Sequence, residues 1–245
     1  MIIAAGQTIP KDSINENLEE HYKLIELAAD NNAQLIIFPE LSLTGYQREE
    51  AEKYSFKLND PRLNRLKEFA KKRKIVIIVG APLQVDNKLY ICSFIISPET
   101  SVEIYTKQFL HSGEELFFEP NSNYNPQIKI KEEIFSLAIC SDIANPVHPN
   151  NASKVNCTTY LASIFYTPNG INDGYEMLRE YAKIYSMNIL MVNYGGKSYQ
   201  FESAGKSAFW TNKGELKSHF IGTGCGLLIA KKENNHWIST IIESK

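Results

Sequence analysis

Apolar residues along this chain fall into short runs, each closed at once by polar or turn-forming residues. Such runs read as buried strands, whereas apolar positions three and four apart read as helices. Ile2 to Gln7 predicts the first strand. Ser13-Ile14-Asn15-Glu16 has the form of a capping box, in which hydroxyl and carboxylate satisfy the orphan N–H groups of a new helix. Leu18, Tyr22, Ile25, Leu27, Ala28 and Ala29 follow at helical spacing, and Asn31-Asn32 ends that helix. Leu35 to Phe38 is the next strand, so the chain opens as β-α-β.

The alternation continues. Pro61 to Lys74 predicts a helix with Leu63, Leu66, Phe69 and Ala70 on one face, and Lys71 to Lys74 reads as a solvated face near its C-terminus, where cations suit the dipole. Strands are expected at Ile75–Gly80, at Lys88–Ser97 after the hairpin turn Asp86-Asn87, and at Val102–Thr106 after a turn at Pro98–Ser101. Phe135 to Ile139 runs apolar into Cys140 and turns polar at Ser141-Asp142. A short helix from about Asn150 and a strand at Tyr160–Ser163 come next, then a loop from Thr167 to Gly174. Glu176 to Met187 predicts a helix, and Ile189 to Asn193 a strand ending in the turn Tyr194-Gly195-Gly196. Ser207–Thr211 and Leu216–Phe220 form a hairpin around Asn212-Lys213-Gly214, and strands at Gly226–Ala230 and Trp237–Ile242 follow. No linker, repeat or low-complexity segment interrupts this pattern, which is that of one α/β domain over residues 1–245 with about four main helices.

Composition narrows the function. A chain of 245 residues buries roughly 70–75% of its unfolded surface, so the core needs no covalent staple. Charges are dispersed, 26 basic against 28 acidic for a net charge of −2, which argues against nucleic acid and against an anionic membrane surface. The cysteines at 92, 140, 157 and 225 form no C-x-x-C pair, and no Cys/His spacing suits a metal. No metal and no cofactor are expected. Three of the four stand in or beside apolar runs, as reduced buried thiols do. The N-terminus has no basic n-region and no apolar run approaches a membrane span, so a soluble, cytoplasmic protein is expected.

Strand tips carry the candidate chemistry. Pro39 ends the pairing of the second strand and leaves Glu40 at its tip. Lys107 follows the fifth strand, and the loop after it, Ser112 to Asn121, mixes acids with the pair Phe117-Phe118, as a loop lining a site does. Cys140 ends the strand from Phe135, and ligands sit at such tips in sheets flanked by helices. Each residue alone has a bland reading: a capping or solvated Glu, a surface Lys, a buried thiol. Together they complement one another. A thiol is mostly protonated at neutral pH, a carboxylate can take its proton during attack, and an ammonium can hold the developing oxyanion.

The order and form of these stretches resemble the nitrilase superfamily, the carbon–nitrogen hydrolases. Phe38-Pro39-Glu40 with Gly45-Tyr46 is similar to that family's glutamate block; Tyr105-Thr106-Lys107 with Gly113-Glu114 and Phe118-Glu119-Pro120 to its lysine block; and Cys140-Ser141-Asp142 with Pro146 to its nucleophile block. Glu176 to Gly196 and Gly205-Lys206-Ser207 resemble its later segments. The resemblance implies a four-layer αββα sandwich that dimerises, and a triad of Glu40 as general base, Lys107 as oxyanion stabiliser and Cys140 as nucleophile. It implies that Glu114, or its neighbour Glu115, is a further site-shaping carboxylate. It also implies a small-molecule amide or N-carbamoyl substrate, with a nitrile as the lesser alternative. Ser141 stands where many members have Tyr, Ala144-Asn145 where many have Arg-Phe, and Asn121 where Gly is expected. Tyr46, Phe117, Phe118, Tyr166 and Trp210 are the aromatic candidates for the pocket, Tyr46 and the Phe pair because they adjoin triad blocks. Two other readings compete. One is a Cys–His hydrolase using His111 or His148, with the five histidines otherwise on the surface or in loops. The other is a catalytically silent member serving as a binding or assembly module.

Overall fold

The computed structural model describes residues 1–99 and 102–244, so part of the expected turn at Pro98–Ser101 lies outside the described residues. In chain order the elements are β1 (Ile2–Gln7), α1 (Ile14–Asp30), β2 (Leu35–Ile37), α2 (Ala51–Tyr54), α3 (Asn64–Arg73), β3 (Val76–Val85), β4 (Lys88–Ile96), β5 (Glu103–Thr106), β6 (Ile128–Ile130) and β7 (Glu133–Ile139). They continue with α4 (Val147–Lys154), β8 (Thr159–Ser163), α5 (Ile171–Tyr185), β9 (Asn188–Val192), β10 (Ala208–Trp210), β11 (Leu216–His219), β12 (Gly226–Glu233) and β13 (His236–Glu243).

The described residues form a seven-stranded sheet, β13-β12-β1-β2-β3-β4-β5, and a six-stranded sheet, β11-β10-β9-β8-β7-β6. Each sheet is parallel at its centre, through β1-β2-β3 in one and β7-β8-β9 in the other. Strand side chains alternate between faces, and here both faces are covered. Ile3, Ala5, Phe135, Leu137 and Ile139 meet in one core between the sheets. Ala4 and Ile36 point the other way, onto Leu18, Ile25 and Leu66 of α1 and α3. Ala138 and Tyr160 do the same on the second sheet, beneath Leu178 and Ala182 of α5. The result is the four-layer αββα sandwich, and burial on both faces is why the central strands read as unbroken apolar runs.

Three expectations are corrected. First, β3 runs past Gly80 to Val85 and includes Pro82, which pairs with Ile91. Proline cannot donate to a ladder, but β2 pairs only with Val76 to Ile78; beyond it Phe56 bridges Leu83, its amide donating to Pro82 O at 2.8 Å and its carbonyl accepting from Gln84 N at 2.9 Å, so no donor is asked of Pro82. Second, α5 opens at Ile171, and Gly174, assigned above to the preceding loop, lies inside it. A Cβ there would stand 2.2 Å from Cε2 of Tyr166, so the glycine is needed for close packing. Third, His21 and His148 are buried. His21 reaches Asn17 O at 2.6 Å and Ser42 Oγ at 3.0 Å, and burial pushes its imidazole down to about 4. His148 lies between the hydroxyls of Tyr105 at 2.8 Å and Tyr160 at 2.7 Å.

Candidate active site

Glu40, Lys107 and Cys140 each follow a strand, and the two-sheet packing brings them to one place. Glu40 is held by its loop. Ser42 Oγ accepts from the Gly80 amide at 3.2 Å, Leu43 N donates to Gly80 O at 2.9 Å, and Tyr194 Oη donates to the Glu40 carbonyl at 2.7 Å. That close approach needs Gly80, where a Cβ would stand 2.5 Å from Leu41 N. Lys107 is fixed by its own backbone, which donates to Ile91 O at 2.9 Å and accepts from Asn121 N at 3.1 Å. Its buried ammonium donates to Glu40 Oε1 at 2.7 Å and to Glu114 Oε1 at 2.9 Å. Glu114 is as deeply buried and also accepts from the Tyr46 hydroxyl and from His111 N. Glu115 is exposed and folds back on Gly113 N, so of the two acids Glu114 is the one in this cluster.

Cys140 sits on a sharp turn. Its φ of 45° is in the left-handed region, which a side chain other than glycine's enters at a cost of about 1–3 kcal/mol. Asp142 over-determines that turn. One carboxylate oxygen accepts from Gln108 N and Phe109 N, both at 2.9 Å, and the other from Ile139 N at 2.9 Å and Tyr105 Oη at 2.6 Å. The same side chain thus ties the cysteine turn to the residues just after Lys107. Burial holds His148 below the usual imidazole range. It therefore donates from Nε2 to the Tyr105 oxygen, whose own proton goes to Asp142, and accepts at Nδ1 from Tyr160.

The electrostatics favour a resting thiol beside a poised base. Burial, reinforced by the Glu40 charge, drives the Cys140 thiol well above its usual range, and Lys107 only partly offsets this. Burial also raises the Glu40 carboxyl, and Lys107 pulls it back to about 7. Burial opposes the charge on Lys107, but Glu40 and the other anionic groups around it outweigh burial and keep the ammonium charged. Glu40 Oε2 is buried without a hydrogen-bond partner among the described residues, so one oxygen of the carboxylate is free for an incoming proton.

Glu40 and Cys140 open onto a cavity of about 370 Å³, with Tyr46, Phe165 and Tyr166 among its walls. That volume suits a small molecule. Four residues singled out in the sequence, Phe117, Phe118, Ser141 and Trp210, do not line the cavity, and Phe117 packs against the core between the sheets. Phe118 is packed in the core between the sheets, where its amide donates to Glu114 O at 2.9 Å, so it anchors the loop and does not line the cavity. The Ser141 hydroxyl turns to Phe109 O at 2.7 Å, bracing the lysine loop. Trp210 is buried under Tyr175 of α5. His148 does not line the cavity, and the His111 ring, at its rim, contacts Ser112 O. Phe165, whose carbonyl lies 4.0 Å from Cys140 Sγ, was missed by the sequence reading. Its signal was position: it follows the tip of β8, the parallel neighbour of the strand that carries Cys140. Among the described residues no group of three or more His, Cys, Asp or Glu is arranged to hold a metal ion.

Comparison with known proteins gives the family and the fold. The carbon-nitrogen hydrolase family model matches residues 2–217, and the chain belongs to that family. A nitrilase from Pyrococcus abyssi is 30% identical over 110 residues, 43% of this chain and 42% of that protein. The curated relatives are matched over only 24% to 42% of their own lengths. Among solved structures, the NitN amidase from Neterenkonia sp. AN1 superposes with a TM-score of 0.85 at 22% identity, covering 96% of this chain and 93% of that one. A mutant of the amidase from Nesterenkonia sp. AN1 (TM-score 0.84, 21% identity, 94% of this chain and 89% of that one) carries the acetamide moiety of fluoroacetamide on its active-site cysteine. At these identities the structural likeness establishes the fold.

Proposed function

We propose that the protein is a thiol hydrolase that cleaves a non-peptide C–N bond in a linear amide or N-carbamoyl small molecule. The observation that carries this reading is the buried Glu40–Lys107–Glu114 cluster opening, through the unpartnered Glu40 oxygen, onto the cavity that holds Cys140. Glu40 takes the thiol proton as sulfur attacks the carbonyl carbon. The carbonyl electron pair moves onto oxygen, where the Lys107 ammonium and the Ser141 amide receive it. Collapse of that intermediate breaks the C–N bond, and Glu40 returns the proton to the leaving nitrogen, so ammonia or an amine departs and a thioester remains. Water then attacks the thioester, with Glu40 again taking the proton, and the acid leaves as the thiol is restored. One water is consumed for each bond cleaved. Base catalysis contributes about 10²–10⁴-fold in rate and oxyanion stabilisation about 10²–10³-fold. Glu114 holds the other side of Lys107 and fixes the ammonium's position. The Cys–His alternative has less support, because neither His111 nor His148 has the buried, partner-free position that Glu40 has.

The test is ammonia release from small amides, dicarboxylic acid monoamides, N-carbamoyl compounds and nitriles, run beside Cys140→Ala. Turnover of one class by the native chain and none by the variant is the expected result. If no class is turned over and Cys140 alkylates no faster than Cys92, Cys157 and Cys225, the silent-module reading replaces this one. A homodimer is part of the same proposal and is checked by light scattering on the eluting peak. Free thiols at all four cysteines, Cys225 included, fit the cytoplasmic location that the composition suggests. No described helix is long and apolar enough to cross a membrane.

A further inference from the structure

One charged group in the cavity has no part in the chemistry above. Arg48 lies on its wall, in the short 3-10 turn Arg48–Glu50 that follows the glutamate block. The chain has five arginines. Four are paired: Arg62 with Asp60, Arg65 with Glu19, Arg73 with Asp30 and Arg179 with Glu176. The guanidinium of Arg48 makes no ion pair and no hydrogen bond among the described residues. Its neighbours do not explain it. The guanidinium carbon stands 5.5 Å from the Tyr46 ring centroid, the outer edge of a cation–π contact. Nη1 lies over Gly113, where a Cβ would approach it to 3.3 Å, so the head group rests on the turn that carries Glu114. Of the two acids beside it in sequence, both exposed, Glu50 pairs with Lys53.

A planar fork of donors with no acceptor, on the wall of a cavity, is suited to a carboxylate held by two parallel hydrogen bonds. The rest of the cavity sharpens this. Glu40 and Glu114 share the single ammonium of Lys107, so the floor repels an anion once both are ionised. Phe165, Tyr166 and Phe201 offer apolar wall and no other fixed positive charge. A substrate placing its amide at Cys140 and its carboxylate at Arg48 satisfies both ends and leaves its methylenes on the aromatic wall. We infer that Arg48 selects amides or carbamoyl compounds that carry a carboxylate away from the scissile bond. This rests on the hydrolase reading given above and names its substrate class.

The experiment compares kcat/KM for dicarboxylic acid monoamides of increasing chain length with the alkyl amides in which methyl replaces carboxyl. A second arm compares N-carbamoyl amino acids with N-carbamoyl alkylamines and tells the two sources of the carboxylate apart. The expected preference for the carboxylate in one arm is about 10- to 100-fold, the range of a charge-assisted pair. Arg48→Met should remove that ratio and Arg48→Lys should restore part of it. A preference for the neutral compound in both arms, or a ratio untouched by Arg48→Met, overturns the inference. If the native chain turns over nothing, the hydrolase reading is decided by the alkylation rate of Cys140 as above, and Arg48 is judged separately by protection of Cys140 from iodoacetamide. Succinamate should slow that alkylation more than butyramide does, in the native chain and not in Arg48→Met. Equal protection by the two amides overturns the inference.

Discussion

Glu40 is under two opposed demands. As the proposed base it must be ionised, yet its burial favours the protonated acid and raises the carboxyl from 4.5 to about 7. The acid limb of kcat/KM should therefore lie near pH 7, with turnover falling below it as Glu40 is protonated, which a pH–rate profile reads directly. The same shift costs stability. Between 4.5 and about 7 the folded chain holds a proton that the unfolded chain has released, so stability falls as pH rises through that window, and the cost is complete above it. Glu40→Gln should lose about 10²–10⁴-fold in turnover while melting no lower than the native chain at pH well above 7; a clearly lower melting point there would show that the carboxylate stabilises the site. Lys107→Met acts in the opposite direction. It strands Glu40 and Glu114 without a counter-ion, and loss of one partner from a buried ion pair costs about 3–5 kcal/mol. The loss should be greatest at high pH and shrink as acid protonates the stranded carboxylates, which thermal melts across pH would show.

At the scale of elements the question is what keeps the lysine loop and the cysteine turn in register, since they come from different sheets. Asp142 does this through four accepted hydrogen bonds, two from the residues after Lys107, one from Ile139 and one from Tyr105. Asp142→Asn replaces one accepting oxygen by a donor that faces N–H or O–H groups. It should cost about 2–3 kcal/mol and lower kcat more than it changes KM, because the displaced groups are those proposed to carry the reaction; an unchanged kcat would limit Asp142 to folding. The sequence showed Asp142 as part of a motif but not this role, because three of its four partners lie more than thirty residues away along the chain. What was legible follows the same division. Glu40 and Cys140 stand out because each closes a short apolar run, a local signal, whereas Lys107, after Glu103-Ile104-Tyr105-Thr106, stands out only beside the other two and the family's blocks. The central strands could be read because burial on both faces makes them unbroken. The turn and helix from Arg48 to Tyr54 were missed because they are short, polar and without period, and β6 because it is a three-residue edge strand. Phe118 was placed in the pocket because an apolar residue beside acids looks the same whether it lines a cavity or anchors a loop.

For the whole molecule, the boundary of the family match and the boundary of the fold do not coincide. The match ends at residue 217, yet β12 lies between β1 and β13 and pairs with every residue of β1, from Ile2 with Lys231 to Gln7 with Gly226. The last two strands also complete both layers of core. Leu228, Ala230 and Trp237 fill the space between the sheets, where the Trp237 ring meets Phe209 at 5.2 Å, and Leu227 and Ile229 lie on the α1 side. Gln7, fully buried at the end of β1, accepts from Ser207 N at 3.0 Å and donates to Gly222 O at 3.1 Å and Gly224 O at 3.0 Å. It joins the first strand to the glycine loop that leads into β12. A chain cut after residue 217 would expose the edge of β1 and uncover these side chains. At about 1.5–3 kcal/mol for each large apolar side chain, losing Leu227, Leu228, Ile229 and Trp237 removes a sum comparable with the whole stability of a domain, about 5–15 kcal/mol. The truncated chain should therefore show no cooperative thermal transition and no near-ultraviolet dichroism. It should also fail to react at Cys140 with the selectivity of the intact chain, since the tips that carry Glu40 and Cys140 are held in place by the packing of the two sheets. A cooperative melt with an intact site would instead mean that residues 2–217 fold alone and that β12 and β13 are an addition to a complete domain.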